Sequence, residues 1–275
     1  MFKKYLVIAS KKDLAGVNIT TQLSQFRKNP LLSSMKKDGV SFDFYLIEDE
    51  IIHTKNLDLS KINQYDFVIF ASKHESKNKE KTLSIHAPGN WSIANLGGES
   101  EKICPTSALF SKQLFENIIS NAREFKLNNY KITLEATHHG PLIEKPCLFL
   151  EIGSTPTEWK DNRAGFFLAK VLSETIETFE PSKYREVAFG IGGNHYCPTF
   201  NKLQEKSNIA ISHVIPQYML PLTQRMIDEA KRKTLEDIDF VVIDWKGCGN
   251  SESREQVVDM LEKNYISWKK TSEIK

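Results

Sequence analysis

Cysteine is scarce: Cys104, Cys147, Cys197 and Cys248 lie far apart, with no Cys-x-x-Cys pair. That spacing excludes a four-cysteine zinc knuckle and argues against a disulfide framework in a chain of 275 residues. A reducing cytoplasm is the expected setting. Long apolar runs are also missing. Runs such as Phe67–Ala71 and Phe240–Ile243 are strand-sized, far short of the roughly 20 residues a membrane helix needs. Residues 1–9 open with Met-Phe-Lys-Lys and mimic a secretory signal, but Tyr5–Ala9 is too short an apolar run and Lys11, Lys12 and Asp13 follow at once. A first strand is the better reading. Charge of one sign is lacking, since the net charge is +2, and proteins that hold nucleic acid through their overall field are usually more basic. Contact with RNA would have to come from local patches. Lys73, Lys77, Lys79 and Lys81 form one, and Lys231, Arg232 and Lys233 another, although each alone reads as an ordinary solvated face.

Familiar catalytic motifs are absent as well. Without His-Glu-x-x-His, or His-x-Glu with Pro-Cys-x-x-Cys, common metallopeptidases and nucleobase deaminases are disfavoured. No Gly-x-Ser-x-Gly elbow or Walker loop occurs. Gly190-x-Gly192-Gly193 lacks dinucleotide-loop spacing and reads as a tight turn for close backbone approach. Ser76, Ser84, Ser154 and Thr155 read as cap or turn residues, Thr155 opening a helix, and Cys197 reads as a buried spectator.

With 40% hydrophobic residues, the chain has enough apolar mass for a substantial core. Short runs rich in Val, Ile, Phe and Leu predict strands at Tyr5–Ala9, Phe42–Ile47, Phe67–Ala71, Thr82–His86, Lys131–Thr137, Cys147–Ile152, Glu186–Gly190, Asn208–His213 and Phe240–Asp244. Amphipathic spacing predicts helices from Pro105 or Thr106 to about Phe125, from Thr157 through Ile176, over Leu220–Arg232 and over Ser253–Asn264. The alternation implies an α/β fold with a mixed, largely parallel sheet flanked by helices. No repeat or linker divides the chain, so a single domain is expected, with any boundary between lobes near 100–105.

Histidine carries the functional signal. His53 sits in an acidic stretch and reads as surface, but His74, His86, His138, His139, His195 and His213 lie at or just beyond predicted strand ends. Loops at the carboxyl ends of strands converge on the ligand crevice of open α/β sheets, so six imidazoles placed there point to one shared site. Glu135 and Glu151 stand within or at the end of strands, where a carboxylate is costly unless paired or metal-bound. Mixed imidazole and carboxylate ligands suit zinc.

Five strings of unusual composition follow one another along the chain: Ser72-Lys73-His74-Glu75-Ser76, His86-Ala87-Pro88-Gly89-Asn90-Trp91 and Glu135-Ala136-Thr137-His138-His139-Gly140-Pro141 are the first three. Glu151-Ile152-Gly153-Ser154-Thr155 to Glu158-Trp159 comes next, then Gly190-Ile191-Gly192-Gly193-Asn194-His195-Tyr196 with Pro198 and Phe200. In these strings, and in their order and separation over roughly residues 5–245, the chain resembles the archaeal and plant type of D-aminoacyl-tRNA deacylase. The resemblance implies hydrolysis of the ester between a D-amino acid and the 3′ end of tRNA, a zinc requirement, and a three-layer architecture related to phosphorylases and peptidyl-tRNA hydrolase.

On that footing His74, His86 and His138 are the expected zinc ligands, and His139, His195 and Glu135 the catalytic groups, the division between ligand and base being left open. Gly192 and Gly193, or Gly97 and Gly98, would supply backbone donors to the oxyanion or the amino acid. Trp91, Tyr196 and Phe200 would stack on the terminal adenine, Asn90 would contact substrate, and Lys73 would meet acceptor-stem phosphates. A monomer without DNA or membrane partners is expected. Two rival readings remain: a zinc-dependent hydrolase of small peptides or amino-acid esters without need of tRNA, and a non-catalytic module binding the tRNA end.

Overall fold

The structure, a computed structural model, describes residues 2–28 and 39–274. In chain order the first half contains β1 (Lys4–Ser10), α1 (Leu14–Lys28), β2 (Ser41–Ile47), α2 (Leu59–Ile62), β3 (Phe67–Glu75), β4 (Thr82–His86), α3 (Ala108–Ala122), β5 (Lys131–Leu134) and β6 (Cys147–Ser154). The second half contains α4 (Pro156–Trp159), α5 (Asn162–Thr178), β7 (Glu186–Ile191), α6 (Pro198–Lys206), β8 (Ile209–Ile215), α7 (Gln224–Arg232), β9 (Phe240–Ile243), α8 (Ser251–Lys263) and β10 (Trp268–Lys270).

The strands make two sheets. The six-stranded sheet has the order β2-β1-β3-β6-β4-β5; β4 runs antiparallel to β6 and the other pairings are parallel. The second sheet, β10-β9-β7-β8, is wholly parallel. The fold is thus α/β with a largely parallel main sheet, as expected, but the later strands build a sheet of their own. Among the described residues no helix is long and apolar enough to cross a membrane.

Both faces of the main sheet are covered, which explains why its strands read as continuous apolar runs. Tyr5, Val7 and Ala9 of β1 join Phe67, Ile69 and Ala71 of β3 and Leu148, Leu150 and Ile152 of β6 against Phe110 and Leu114 of α3 and Phe167 and Leu168 of α5. The intervening residues Leu6, Ile8, Val68, Phe70, Cys147 and Phe149 pack on the opposite face. Val214, Phe240 and Val242 of the second sheet belong to the same large core as β1.

Local chemistry moves several boundaries. The helix expected from Thr157 to Ile176 is two helices. Thr155 and Glu158 form a capping box on α4, and the Asp161 carboxylate caps α5 by accepting from the amides of Arg163 and Ala164. The strand expected over Lys131–Thr137 ends at Leu134, because the amides of Ala136 and Thr137 turn to His195 and Val214 carbonyls. β3 runs on to Glu75, so His74 lies inside a strand rather than after it.

Candidate active site

Alternation along strands puts residues two apart on the same face. On the face carrying Val68 and Phe70, β3 continues with Ser72 and His74, β6 with Glu151, and β4 with Ser84 and His86. The apolar floor thus becomes polar toward the carboxyl half of β3. His86 stacks on Phe149, ring centroids 5.1 Å apart and planes 6° from parallel. After β5, the Glu135 amide makes a last bond to Ile85, and the chain crosses to the second sheet. That crossing lays His138 and His139 over His86, with ring centroids at 4.2 and 4.9 Å. His195, from the loop after β7, closes the group 4.5 Å from the His138 ring. Five of the six histidines singled out from sequence meet in one place.

Two carboxylates lie among them. Glu135 Oε1 is 3.1 Å from His74 Nδ1, and Glu135 Oε2 is 3.1 Å from His195 Nε2 and 3.7 Å from His138 Nε2. Glu151 Oε2 is 3.7 Å from His74 Nδ1 and 3.8 Å from His86 Nε2. Burial works to raise the Glu135 carboxyl, but the imidazoles of His195 and His74 overrule it and hold it well below the usual carboxylate range. Burial likewise works against charge on His74, yet Glu135 and Glu151 push its pKa up to about 11. His74 is therefore an imidazolium at neutral pH. Its Nε2 donates to the Tyr196 hydroxyl at 3.2 Å, which in turn donates to Ser76 Oγ at 2.9 Å.

His138 and His139 behave oppositely. Burial, reinforced by the other imidazoles, holds His138 well below its ordinary value and brings His139 down to about 3. Both are neutral, and their tautomers are set by carbonyl oxygens, which only accept. His138 Nδ1 donates to Ala136 O at 2.8 Å, His139 Nδ1 to Gly140 O at 2.7 Å, and His86 Nδ1 to Ala87 O at 3.2 Å. In the neutral His138 and His139 the remaining Nε2 presents a lone pair.

Those ring nitrogens provide a test of whether a cation fits. His86 Nε2 faces Glu151 and His138 Nε2 faces Glu135, each below 4 Å. The His138 lone pair against carboxylate is repulsive unless a positive charge stands between. His86 Nε2 and both Glu135 oxygens are buried without a hydrogen-bond partner; the 3.1 Å approaches to Glu135 lack hydrogen-bond alignment. Ligand atoms of His86, His138 and His139 lie within 4.8 Å of one another, as do those of His74, Glu135 and His195, and of His86, Glu135 and Glu151. The donor set and its carbonyl-anchored imidazoles fit a metal such as zinc. The grouping differs from the expected one: His139 stands with His86 and His138, whereas His74 shares the Glu135 carboxylate with His195.

Other expectations need correction. His213 lies inside β8, which runs on to Ile215, and is fully buried away from the cluster between Thr137 Oγ1 and the Lys233 carbonyl. Trp91 and Phe200 are core residues: the Trp91 indole donates to Val214 O, and Phe200 packs beneath Gly190. Neither offers a face to a base. The amides of Gly192 and Gly193 are already committed to Ile215 O and Gly247 O, so they hold no oxyanion. Asn90 ties the 97–99 loop through Gly97 O and Glu99 O. Lys233 is buried against Glu144 rather than part of a basic patch. Tyr196 does reach the site, Cys197 is buried, and His53 is exposed, as expected.

A pocket of about 380 Å³ opens onto the cluster, lined by His74, His138, His139, Glu151 and His195, and by Lys73 on one side. Asp13, Ile51, Ile52 and Leu96 also line it and were not singled out from sequence. Asp13 was discoverable, since it follows the carboxyl end of β1, the position that drew attention to the histidines. Leu96 and the Ile51-Ile52 pair come from loops with no such marker.

Two glycines allow this packing. A Cβ on Gly140, beside His139 with its φ of +45°, would come 2.2 Å from Gly98 N. A Cβ on Gly153 would stand 2.8 Å from His74 Cδ2 and 2.3 Å from Thr82 Oγ1. Gly153→Ala is therefore expected to displace the His74 ring and lower turnover by about 100-fold, the cost of misplacing a reacting group by about 1 Å. Steady-state kinetics of a folded Gly153→Ala protein that matched wild type would refute this.

Known proteins supply the family. The sequence profile of D-aminoacyl-tRNA deacylase matches residues 61–269. The D-aminoacyl-tRNA deacylase of Thermococcus onnurineus is 34% identical over 272 residues, covering 94% of this chain and 96% of that protein. That of Methanocaldococcus jannaschii is 30% identical over 275 residues, covering 97% and 99%. A crystal structure of a conserved protein of unknown function, AF0625, superposes with a TM-score of 0.85 at 26% identity, covering 99% of this chain and 96% of its own. With a profile match over most of its length and relatives 30–34% identical over nearly the whole chain, the chain belongs to the D-aminoacyl-tRNA deacylase family of ester-bond hydrolases.

Proposed function

We propose that this protein hydrolyses the ester joining a D-amino acid to the 3′ end of tRNA, releasing free D-amino acid and tRNA, with zinc held by His86, His138 and His139. The observation that carries the metal reading is that His86 Nε2 and both Glu135 oxygens are buried without a hydrogen-bond partner, with the neutral His138 Nε2 3.7 Å from Glu135. When bound, zinc supplies Lewis-acid polarisation and makes hydroxide available near neutral pH.

The chain's own residues do the rest. His195 is the most exposed ring of the cluster, its side chain 29% accessible, and Glu135 beside its Nε2 stabilises the imidazolium. It takes the proton of the attacking water and returns it to the ribose oxygen as the ester breaks. His74, fixed in its charged form, stabilises the negative charge that develops on the carbonyl oxygen and positions Tyr196. Lys73, which lines the pocket wall, meets tRNA phosphate in this reading.

Chirality needs three unlike contacts, because inverting one centre exchanges two substituents. The pocket has three: imidazoles for the ester, an apolar wall of Ile51, Ile52 and Leu96 for the side chain, and carboxylates of Asp13, Glu50 and Glu75 for the ammonium. A substrate of the wrong hand must present its ammonium to the apolar wall or its side chain to the acids. D-tyrosyl-tRNA is thus expected to be deacylated at least 100-fold faster than L-tyrosyl-tRNA, and a zinc chelator to abolish turnover. Equal rates on the two substrates would defeat the chiral reading; turnover that survives thorough chelation would defeat the zinc reading.

A further inference from the structure

The catalytic group lies over the main sheet, but the second sheet has a crevice of its own, about 510 Å³ in volume. It is lined by residues just beyond the carboxyl ends of all four parallel strands: 193–194 after β7, Gln217 after β8, 244–247 after β9 and 271–272 after β10. In the order β10-β9-β7-β8, β7 leads to a neighbour on one side and β9 to a neighbour on the other. The connections diverge between these adjacent strands, and such switch points are where open α/β sheets bind ligands.

The lining suits a nucleotide. Asp244, nine-tenths buried, accepts from the Thr199 hydroxyl at 2.8 Å and from the Gly247 amide at 3.1 Å, one bond to each oxygen. A carboxylate oxygen accepts more than one hydrogen bond, so capacity remains for ribose hydroxyls. Trp245 is half-buried at the rim, and Lys270 Nζ lies 4.2 Å from its ring centre. Lys246 beside it is exposed, and Pro198 and Thr199, at the electropositive amino-terminal end of α6, line the crevice. An aromatic interleaved with cations is how single-stranded nucleic acid is commonly held.

The crevice and the active site share a loop. Gly193 and Asn194 line the crevice, while the next residues, His195 and Tyr196, enter the catalytic group. We propose that this crevice holds a nucleotide on the 5′ side of the terminal adenosine, in the single-stranded 3′ end of tRNA, while the ester lies against His195 on the other side of that loop. This rests on the deacylase reading above.

The test compares D-tyrosyl-tRNA with D-tyrosyl-adenosine, which lacks every upstream nucleotide, on wild type, Trp245→Ala and Lys246→Glu. Both variants are expected to raise KM for the tRNA about 10-fold or more while leaving kcat/KM for D-tyrosyl-adenosine unchanged. Unchanged KM for the tRNA, or equal losses on both substrates, would overturn the proposal. Titration of the free trinucleotide CCA, followed by tryptophan fluorescence and by calorimetry, separates this idea from the deacylase reading. Binding to wild type that Trp245→Ala weakens about 10-fold supports the crevice even if neither ester is hydrolysed. No binding, binding indifferent to Trp245, or equal affinity for AMP alone would reject it.

Discussion

Replacing Glu135 by glutamine is expected to lower kcat/KM for D-aminoacyl-tRNA by about 10²- to 10⁴-fold, the range spanned by a positioned general base. The side chain is 3% exposed and nearly isosteric with glutamine, so the change removes charge rather than shape. Two of its three neighbouring imidazoles depend on that charge. His195 and His74 stand 3.1 Å from its oxygens, and His138 3.7 Å away. Without the carboxylate, the proposed base His195 loses the anion beside its Nε2, and His74 keeps only Glu151 as a counter-ion. Breaking a buried pair from one side typically costs about 3–5 kcal/mol, so lower thermal stability should accompany lost turnover.

The pH dependence of the metal-free protein gives an independent reading. Because the folded pKa of His74 is raised from 6.5 to about 11, its contribution to stability is complete below pH 6.5 and is lost as pH rises through about 11. Melting temperatures should fall across that window in wild type and fall less steeply in Glu135→Gln. A variant with less than tenfold loss of kcat/KM and an unchanged stability slope would remove Glu135 from the centre of the mechanism.

His138→Ala is expected to have the second-largest effect, separating zinc binding from proton transfer. Losing an outer partner of a metal ligand costs about 10–100-fold in affinity or activity, and losing a ligand should cost at least the upper figure. Zinc affinity measured by competition with a chromogenic chelator should drop with turnover, and excess zinc should restore part of the activity. His213→Ala is the contrasting control, being buried between Thr137 and Lys233 without a role in the cluster. Full zinc affinity in His138→Ala would sink the assignment of this ring as a ligand.

Much of the fold was legible because the β-strands that matter are apolar on both faces. Val68–Ala71 and Leu148–Leu150 announce themselves as runs whatever the direction of their neighbours. Helix α1 was not legible: Leu14–Lys28 mixes β-branched and polar residues without a clean stripe, and it forms because Asp13 caps it and the main sheet covers it. β10 is three residues long and exists through pairing with β9. Convergence of His74, His86, His138, His139 and His195 was readable from their positions at strand ends. The division of labour among them was not. It depends on β4 running antiparallel, which brings His86 in beside Phe149, and on hydrogen bonds from Nδ1 to carbonyls of the ring's own chain segment, which no residue spacing reveals. His213 failed the same rule because β8 runs on to Ile215, so the ring lies inside the strand, buried between Thr137 and Lys233, and not in the loop beyond it.

The crossing of residues 135–137 from one sheet to the other has a consequence for how this enzyme is assembled. Glu135 comes from before the link between Ser154 and Glu186, and His195, the proposed base beside it, from after that link. Neither segment, made separately, would own a working proton relay. Competence would arise only when backbone bonds such as Ala136 to His195 tie the two together, so that chemical function and completion of the fold arrive in a single event.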